Sequence, residues 1–454
     1  PGFGRDGIVD LKQDNDQYID PLTGEIGWNG APVVARDVVV IGASHRSGGS
    51  PPSRENVKGY IRGFDVRTGQ RKWIFHTIPR AGEFGRDTWL NDSAVYTGNT
   101  GVWTNLTVDE ELGIAYLPVE IPTGDYYGGH RPGDNLFADS LVCLDARTGE
   151  RVWHFQAVKH DVWDRDFPSL PSLVTVRRNG LLVDAVAQIT KSGHVLVFDR
   201  DTGDPLFPIE ERPVPATDVE GEVLAESQPF PVKPPPFARQ RFTEDMVTRR
   251  TPKAHQAVLE QFRKVRSGGQ FTPPSLEGTV VFPGFDGGGE WGGGAFDPET
   301  GLFYVNSNEM ASILRLVERP PTGKRPSGRN LYLRNCASCH KEDGIGSPPE
   351  FPSLVGIGDR LTRTEIIAVT RSGRGRMPAF GHLPPHGIRA ITRYLLFGED
   401  TEFEAAGPIP LDLKYKHDGY NRFLDPDGYP AVEPPWGTLN AINLDTGEIL
   451  WKIP

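Results

Sequence analysis

In Asn335-Cys336-Ala337-Ser338-Cys339-His340, two thiols stand three positions apart and an imidazole directly follows the second. On one helical turn, that spacing lets both sulfurs reach two vinyl groups of a single porphyrin while the imidazole is aimed at the iron. Cys-x-x-Cys-His is the attachment signature of c-type haem, with Cys336 and Cys339 as covalent anchors and His340 as proximal ligand. A soft, neutral donor is expected on the other side of the iron, where it raises the potential. Met377, in Gly373-Arg374-Gly375-Arg376-Met377-Pro378, is one of three methionines in the chain and the only one in this segment. A zinc site would want a second ligand pair; His382 and His386 are the nearby candidates, and no further cysteine is close. A thioredoxin-like dithiol would have no use for His340. The third cysteine, Cys143, lies in the apolar run Leu141-Val142-Cys143-Leu144 and is expected to be a buried small hydrophobe.

A second group of residues suits proton and hydride chemistry. Asp161, Asp164 and Asp166 crowd the stretch Lys159-His160-Asp161-Val162-Trp163-Asp164-Arg165-Asp166. Oxidation of an alcohol by hydride transfer leaves a hydroxyl proton to remove, and a carboxylate within hydrogen-bond reach is a suitable base. By residue type alone each of the three is equally a turn cap. Lys191, amid the apolar sequence 186–198, is costly to bury unless paired with an anion; a solvated strand end is the alternative. Trp103 offers a flat face for stacking, or serves core packing like the chain's other tryptophans. The glycine-rich stretch 284–294 lacks the Gly-Lys-Ser/Thr ending of a phosphate loop and is expected to bring backbone close to a cofactor.

The elements that must position these residues are strands. Glycine and proline number 53 and 41 in 454 residues, with no triplet period, which favours a turn-rich all-β protein. One phrase recurs: an apolar residue, Asp, one or two residues, Thr-Gly, then a strand that often carries Trp. It occurs at Asp65–Gly69 with Trp73, Asp145–Gly149 with Trp153, Asp199–Gly203, Asp297–Gly301, and Asp445–Gly447 with Trp451. Asp caps the turn, Gly takes the positive φ, and the next strand resumes. Units of this kind cannot bury a face alone, so radial stacking into a β-propeller is expected over a β-sandwich with chance turns. Residues 205–240 read as a proline-rich surface loop, and residues 253–264 as an amphipathic helix. The segment 324–400 carries a net charge of +5 within a chain of −11 and reads as a partly helical insertion. The division is therefore 1–323 propeller, 324–400 insert and 401–454 propeller continued. The overall acidity argues against a nucleic-acid partner. No apolar run reaches the roughly 18 residues of a membrane span.

The repeat phrase is joined by Gly59-Tyr60-Ile61-Arg62-Gly63-Phe64-Asp65, the Lys159–Asp164 stretch, Phe271-Thr272-Pro273-Pro274-Ser275 and Glu290-Trp291-Gly292-Gly293. Together they resemble the pyrroloquinoline quinone (PQQ) dependent dehydrogenases, quinoprotein glucose dehydrogenases above all, over almost all of the chain outside the insert. The insert, with helices expected near 330–334 and 388–396, resembles class I cytochromes c. The resemblance implies an eight-bladed propeller. About six blades are countable here, so the chain is expected to be incomplete at both ends. It selects Asp164, through the Trp-Asp step, as catalytic base. It makes Lys191 the donor to the quinone oxygens and Trp103 the floor beneath the cofactor, with Thr123 and Asn306 in contact with it. It implies Ca²⁺ or Mg²⁺ polarising the quinone. Asp164 has a defensible ligand position, but no carboxylate is found around Ser44-His45-Arg46-Ser47, Glu55 is out of register, and Ile121–Thr123 stand where an Asn is expected. The implied protein is periplasmic or extracytoplasmic. It would oxidise a sugar, polyol or alcohol and pass electrons through haem to a cytochrome, copper protein or quinone. A non-catalytic propeller that merely carries an electron-transfer cytochrome is the rival reading.

Overall fold

The computed structural model describes residues 2–19, 26–27, 30–43, 56–319, 327–381, 383–403, 411 and 413–454. Ser44–Ser47, Glu55 and His382 lie outside the described residues.

Three sheets are four-stranded antiparallel meanders. The first is β1 (Val33–Ala35), β2 (Val38–Ile41), β3 (Ile61–Asp65) and β4 (Arg71–Phe75); a helical turn, α1 (Ser93–Tyr96), follows it. The second is β5 (Thr107–Asp109), β6 (Ile114–Pro118), β7 (Ser140–Asp145) and β8 (Arg151–Gln156). A three-stranded sheet holds β9 (Ser172–Arg178), β10 (Leu181–Ile189) and β11 (Val195–Asp199), followed by the hairpin β12 (Ile209–Pro213) and β13 (Ser227–Pro231), then α2 (Pro252–Phe262). Strands β14 (Thr279–Val281), β15 (Gly294–Asp297), β16 (Leu302–Asn308), β17 (Ser312–Leu314) and β18 (Leu316–Glu318) precede the insert. Strands β19 (Tyr415–His417), β20 (Asn421–Arg422), β21 (Gly437–Asn443) and β22 (Glu448–Ile453) follow it. The pairings are β15-β16-β21-β22, β14-β17-β20 and β18-β19. Sheets of three or four strands thus number five among the described residues, against about six blades expected.

The first strands of successive meanders, β1, β5, β9 and β15, lie side by side, so the sheets fan from a common axis without closing into a ring among the described residues. The recurring phrase explains both turn and stacking. In Asp65–Gly69 the carboxylate accepts the N–H groups of Arg67 and Thr68, at 3.0 and 2.9 Å, and Thr148 and Thr202 make the same bond to Asp145 and Asp199. The tryptophan after one phrase then docks on the next. The Trp153 ring lies against Gly203, where an added Cβ would sit 2.5 Å from it, and its Nε1 donates to the Arg200 carbonyl at 2.9 Å. Trp73 repeats this on Gly149 and the Ala146 carbonyl.

Two details depart from expectation. Asp297–Gly301 turns the first hairpin of its sheet rather than the last. In the final phrase Asn443, not Asp445, caps the turn, while Asp445 accepts the Arg177 N–H. The phrase therefore marks a turn type, not a fixed place in a blade. The expected surface loop 205–240 also requires correction. It contains the β12–β13 hairpin, and Gln228 and Phe237 within it are buried, Gln228 on the Lys159 backbone and Phe237 in a core with Val195 and Val197. Helix α2 matches the expected amphipathic helix, opened by Thr251 accepting the Ala254 N–H.

Residues 309–436 leave and rejoin one sheet between neighbouring strands β16 and β21. The cytochrome-like segment enters and leaves this excursion through β18 and β19, paired at Leu316↔His417 and Glu318↔Tyr415. Beyond that stalk lie α3 (Gly328–Asn335), α4 (Ala337–His340), α5 (Arg363–Ser372) and α6 (Pro385–Phe397), around a core of Tyr332, Leu333, Phe380, Ile388 and Ile391. A reciprocal Thr362–Glu365 capping box starts α5.

Candidate functional site

The loop that presents Asp164 is held by its neighbours. Asp161 accepts the N–H groups of Trp163 and Arg165, at 2.7 and 2.5 Å, which spends its carboxylate on the backbone. Trp163 is buried and donates to the Thr272 carbonyl at 2.8 Å; the buried Arg165 guanidinium reaches the Pro283 carbonyl at 2.6 Å. Between them Asp164 takes a left-handed conformation, φ 59°. Its Oδ1 accepts from the Lys191 ammonium at 2.8 Å and its Oδ2 from the Tyr126 hydroxyl at 3.3 Å. Asp166 sits behind, 2.6 Å from Lys191 Nζ and accepting Trp103 Nε1 at 2.6 Å. The three competing carboxylates are thus distinct: Asp161 caps the loop, Asp166 anchors lysine and tryptophan, and Asp164 bonds Lys191 and Tyr126; of the three, Asp164 and Asp166 line the cavity.

Lys191 is buried, with its ammonium 5.5 Å from the Trp103 ring centroid. The Gly288 N–H donates to its carbonyl at 2.6 Å, so the glycine stretch packs on the loop that carries the lysine. Burial works against the ammonium, yet Asp164 and Asp166 hold it charged well above the ordinary lysine range. Burial pushes the Asp166 carboxyl up in spite of Lys191, with the charge of Asp164 adding to the rise. Burial also raises the Tyr126 phenol, followed by the Asp164 charge, which keeps the hydroxyl a donor.

On the insert side, α3 runs into Cys336 and α4 carries Cys339 and His340. Burial pushes the Cys336 thiol up to about 12 and raises Cys339 in the same way. The His340 Nδ1 lies 2.9 Å from the Pro352 carbonyl, which can only accept; Nδ1 therefore carries the proton and Nε2 keeps the lone pair a metal needs. Burial lowers the imidazole and favours that neutral form. Met377 ends a tight turn closed by reciprocal backbone bonds with Arg374, and its side chain packs on the insert core. His386 meets Phe403 edge-on and does not line the site.

One cavity of about 920 Å³ connects the two sets. It is lined by Trp103, Thr123, Asp164, Asp166 and Lys191 at one end and by Cys336, Cys339, His340 and Met377 at the other. Asn306 is not among them: on β16 it is exposed, with Gly292 as its neighbour. Strand alternation turned it away, since the buried residues of β16 are Phe303, Val305 and Ser307. Two thiols, an imidazole with a free Nε2 and a thioether around an apolar space fit a c-type haem. A tryptophan ring with a buried ammonium above it fits a flat anionic cofactor. A bound Ca²⁺ or Mg²⁺ is not matched by the described residues: no three His, Cys, Asp or Glu side chains group to hold a metal, and Lys191 occupies one Asp164 oxygen. Sequence reasoning missed Tyr126, His417, Tyr420 and the anchoring role of Asp166. Only Asp166 carried a signal, in its closeness to Asp164.

The model of the PQQ-type glucose/ethanol/alcohol dehydrogenase β-propeller domain matches residues 1–344 and 400–454. The chain belongs to that family. Within this PQQ-family propeller, residues 324–395 match a cytochrome c domain, that of subunit III of cbb3-type cytochrome c oxidase. Relatives include the quinoprotein glucose dehydrogenase of Gluconobacter oxydans (strain 621H), 32% identical over 479 residues, covering 99% of this chain and 55% of the relative. The glycerol dehydrogenase large subunit of the same organism is 32% identical over 322 residues, covering 70% of this chain and 42% of that one. Among solved structures, the quinohemoprotein alcohol dehydrogenase from Comamonas testosteroni has a TM-score of 0.51 at 18% identity, covering 95% of this chain and 47% of that one, a likeness of fold. The chain spans about half the length of the curated relatives it matches. No helix among the described residues is long and apolar enough to cross a membrane.

Proposed function

We propose that this PQQ-family chain, divided as 1–323 and 401–454 propeller with 324–400 as cytochrome insert, is the core of a quinohaemoprotein dehydrogenase. It oxidises a sugar, polyol or alcohol and delivers the electrons through its haem to an external cytochrome, copper protein or quinone. The observation that carries the reading is the shared cavity, with Trp103, Asp164 and Lys191 at one end and Cys336, Cys339, His340 and Met377 at the other.

When bound, PQQ supplies a two-electron, hydride-accepting carbonyl, and haem c supplies a one-electron iron. Trp103 would offer its face to the quinone, Thr123 would line its pocket, and Lys191 would donate to its oxygens. Asp164, paired with Lys191, would take the substrate hydroxyl proton. Tyr126 orients that carboxylate from its other oxygen. Cys336 and Cys339 would anchor the haem as thioethers, and His340 Nε2 and the Met377 thioether would be its iron ligands. Covalent haem of this kind is attached outside the cytoplasmic membrane, so the proposed location is periplasmic.

Purified haem-containing protein is incubated with PQQ and CaCl₂, then sugars, polyols and alcohols are screened by haem reduction. A reducing substrate is expected. Asp164→Asn should keep the haem spectrum and PQQ binding while turnover falls by about 10²–10⁴, the range of a general base. Unchanged turnover removes Asp164 from the role, and failure to bind PQQ favours the carrier reading.

A further inference from the structure

The space between the two ends of the cavity is crossed by aromatic rings from four parts of the chain. Tyr126, whose hydroxyl bonds Asp164, lies 4.8 Å from the His417 ring, 5.8 Å from Tyr420 and 5.2 Å from Phe285, centroid to centroid. His417 and Tyr420 are 5.1 Å apart, and Phe285 is 5.5 Å from Tyr420. Tyr420 then stacks on Phe351 of the insert, 5.5 Å away at an interplanar angle of 26°. Phe351 is bonded to Pro352, whose carbonyl holds His340 Nδ1. The seam is fixed on both sides. Gly419 lets the chain approach the Ser338 carbonyl, between the two cysteines; a Cβ there would be 3.0 Å from it. Lys416 Nζ donates to the Leu333 carbonyl at 2.9 Å, and Arg422 bonds Asp286 and Glu350.

We infer that Tyr420, with Tyr126 and Phe351, forms the electron route between the quinone end and the haem end of the cavity. The inference rests on the proposed cofactors. Each passage moves one electron and turns ferric haem ferrous. A reduced quinone makes two passages, the external acceptor re-oxidises the haem between them, and the two quinol protons leave to solvent. Coupling through contacting rings falls off less steeply than through a gap, so the ring matters and the hydroxyl does not.

The test uses PQQ-reconstituted protein without substrate. Pulse radiolysis reduces the quinone, and transfer is followed as growth of the ferrous haem band. Tyr420→Leu should slow transfer by about tenfold, equivalent to about 1.4 kcal/mol of barrier, with the haem midpoint potential unchanged. Tyr420→Phe should restore the parent rate, and Phe351→Leu should repeat the loss from the insert side if Tyr420→Leu does not fold. Parent-like rates in both leucine variants, or equal loss in Tyr420→Phe, overturn the route. Absence of transfer in the parent overturns the two-cofactor reading itself.

Discussion

The insert and the propeller, each the proposed holder of one cofactor, assemble their candidate sites in opposite ways. In the insert, the two thiols and the imidazole fall within five consecutive residues on one turn, and packing on α3 and α6 has only to present them. In the propeller, no two of Trp103, Asp164 and Lys191 share an element. Their meeting depends on the sheets standing in the right order around the axis. A site written locally survives local folding alone; a site written across blades exists only when the blades dock.

Three changes test that contrast, from the largest effect to the smallest. Cys336→Ser should abolish retention of haem by two thioethers, seen as weakened haem staining in denaturing gels and a shifted ferrous band. Far-ultraviolet circular dichroism should still report the β-sheet content, because the sheets do not depend on this turn. Loss of the β signal as well would mean that the propeller leans on the insert. Trp153→Ala removes the ring that docks one sheet on the next. It should cost about 3–5 kcal/mol in denaturant unfolding, the range for deleting a large buried aromatic. PQQ binding should be lost before the haem spectrum changes; simultaneous loss would make the two regions one cooperative unit. The third concerns the seam. Burial drops the His417 imidazole to about 4, so it is neutral in the folded chain. Its contribution is fully present above about pH 6.5, the unfolded value, and is lost as pH falls through about 4; the ceiling is about 3 kcal/mol. His417→Phe should therefore flatten the acid side of the stability curve between those limits, measured as thermal midpoint against pH. An unchanged slope would show that this ring opens to water before the protein unfolds.

Much of the architecture was legible before any fold was drawn. Asp65, Asp145 and Asp199 cap their turns as their phrases predict, and Cys143 is buried among Trp153 and Phe167. The Cys336-x-x-Cys339-His340 turn was legible from spacing alone, whereas Met377 joins it only in the folded insert. The quinone end was legible only through resemblance. Nothing local separated Asp161, Asp164 and Asp166 until the backbone bonds of Asp161 and the lysine pairing of Asp166 were visible. Asn306 stands exposed on β16 between buried Val305 and Ser307, and a motif alone does not say which face of a strand a residue takes.

Residue order by itself determined what depends on near neighbours: the capped turns, the strand and helix periods, and the haem-binding turn. These use backbone bonds and spacings within a few residues, where chain connectivity already supplies the proximity. Only the tertiary structure decided that Asp164 and Asp166 line the cavity while Asp161 is spent on the backbone, that Asn306 stands exposed on β16, and that Tyr420 meets Phe351 of the insert. Each of those depends on segments brought together by the docking of separate sheets, and no local spacing encodes that distance.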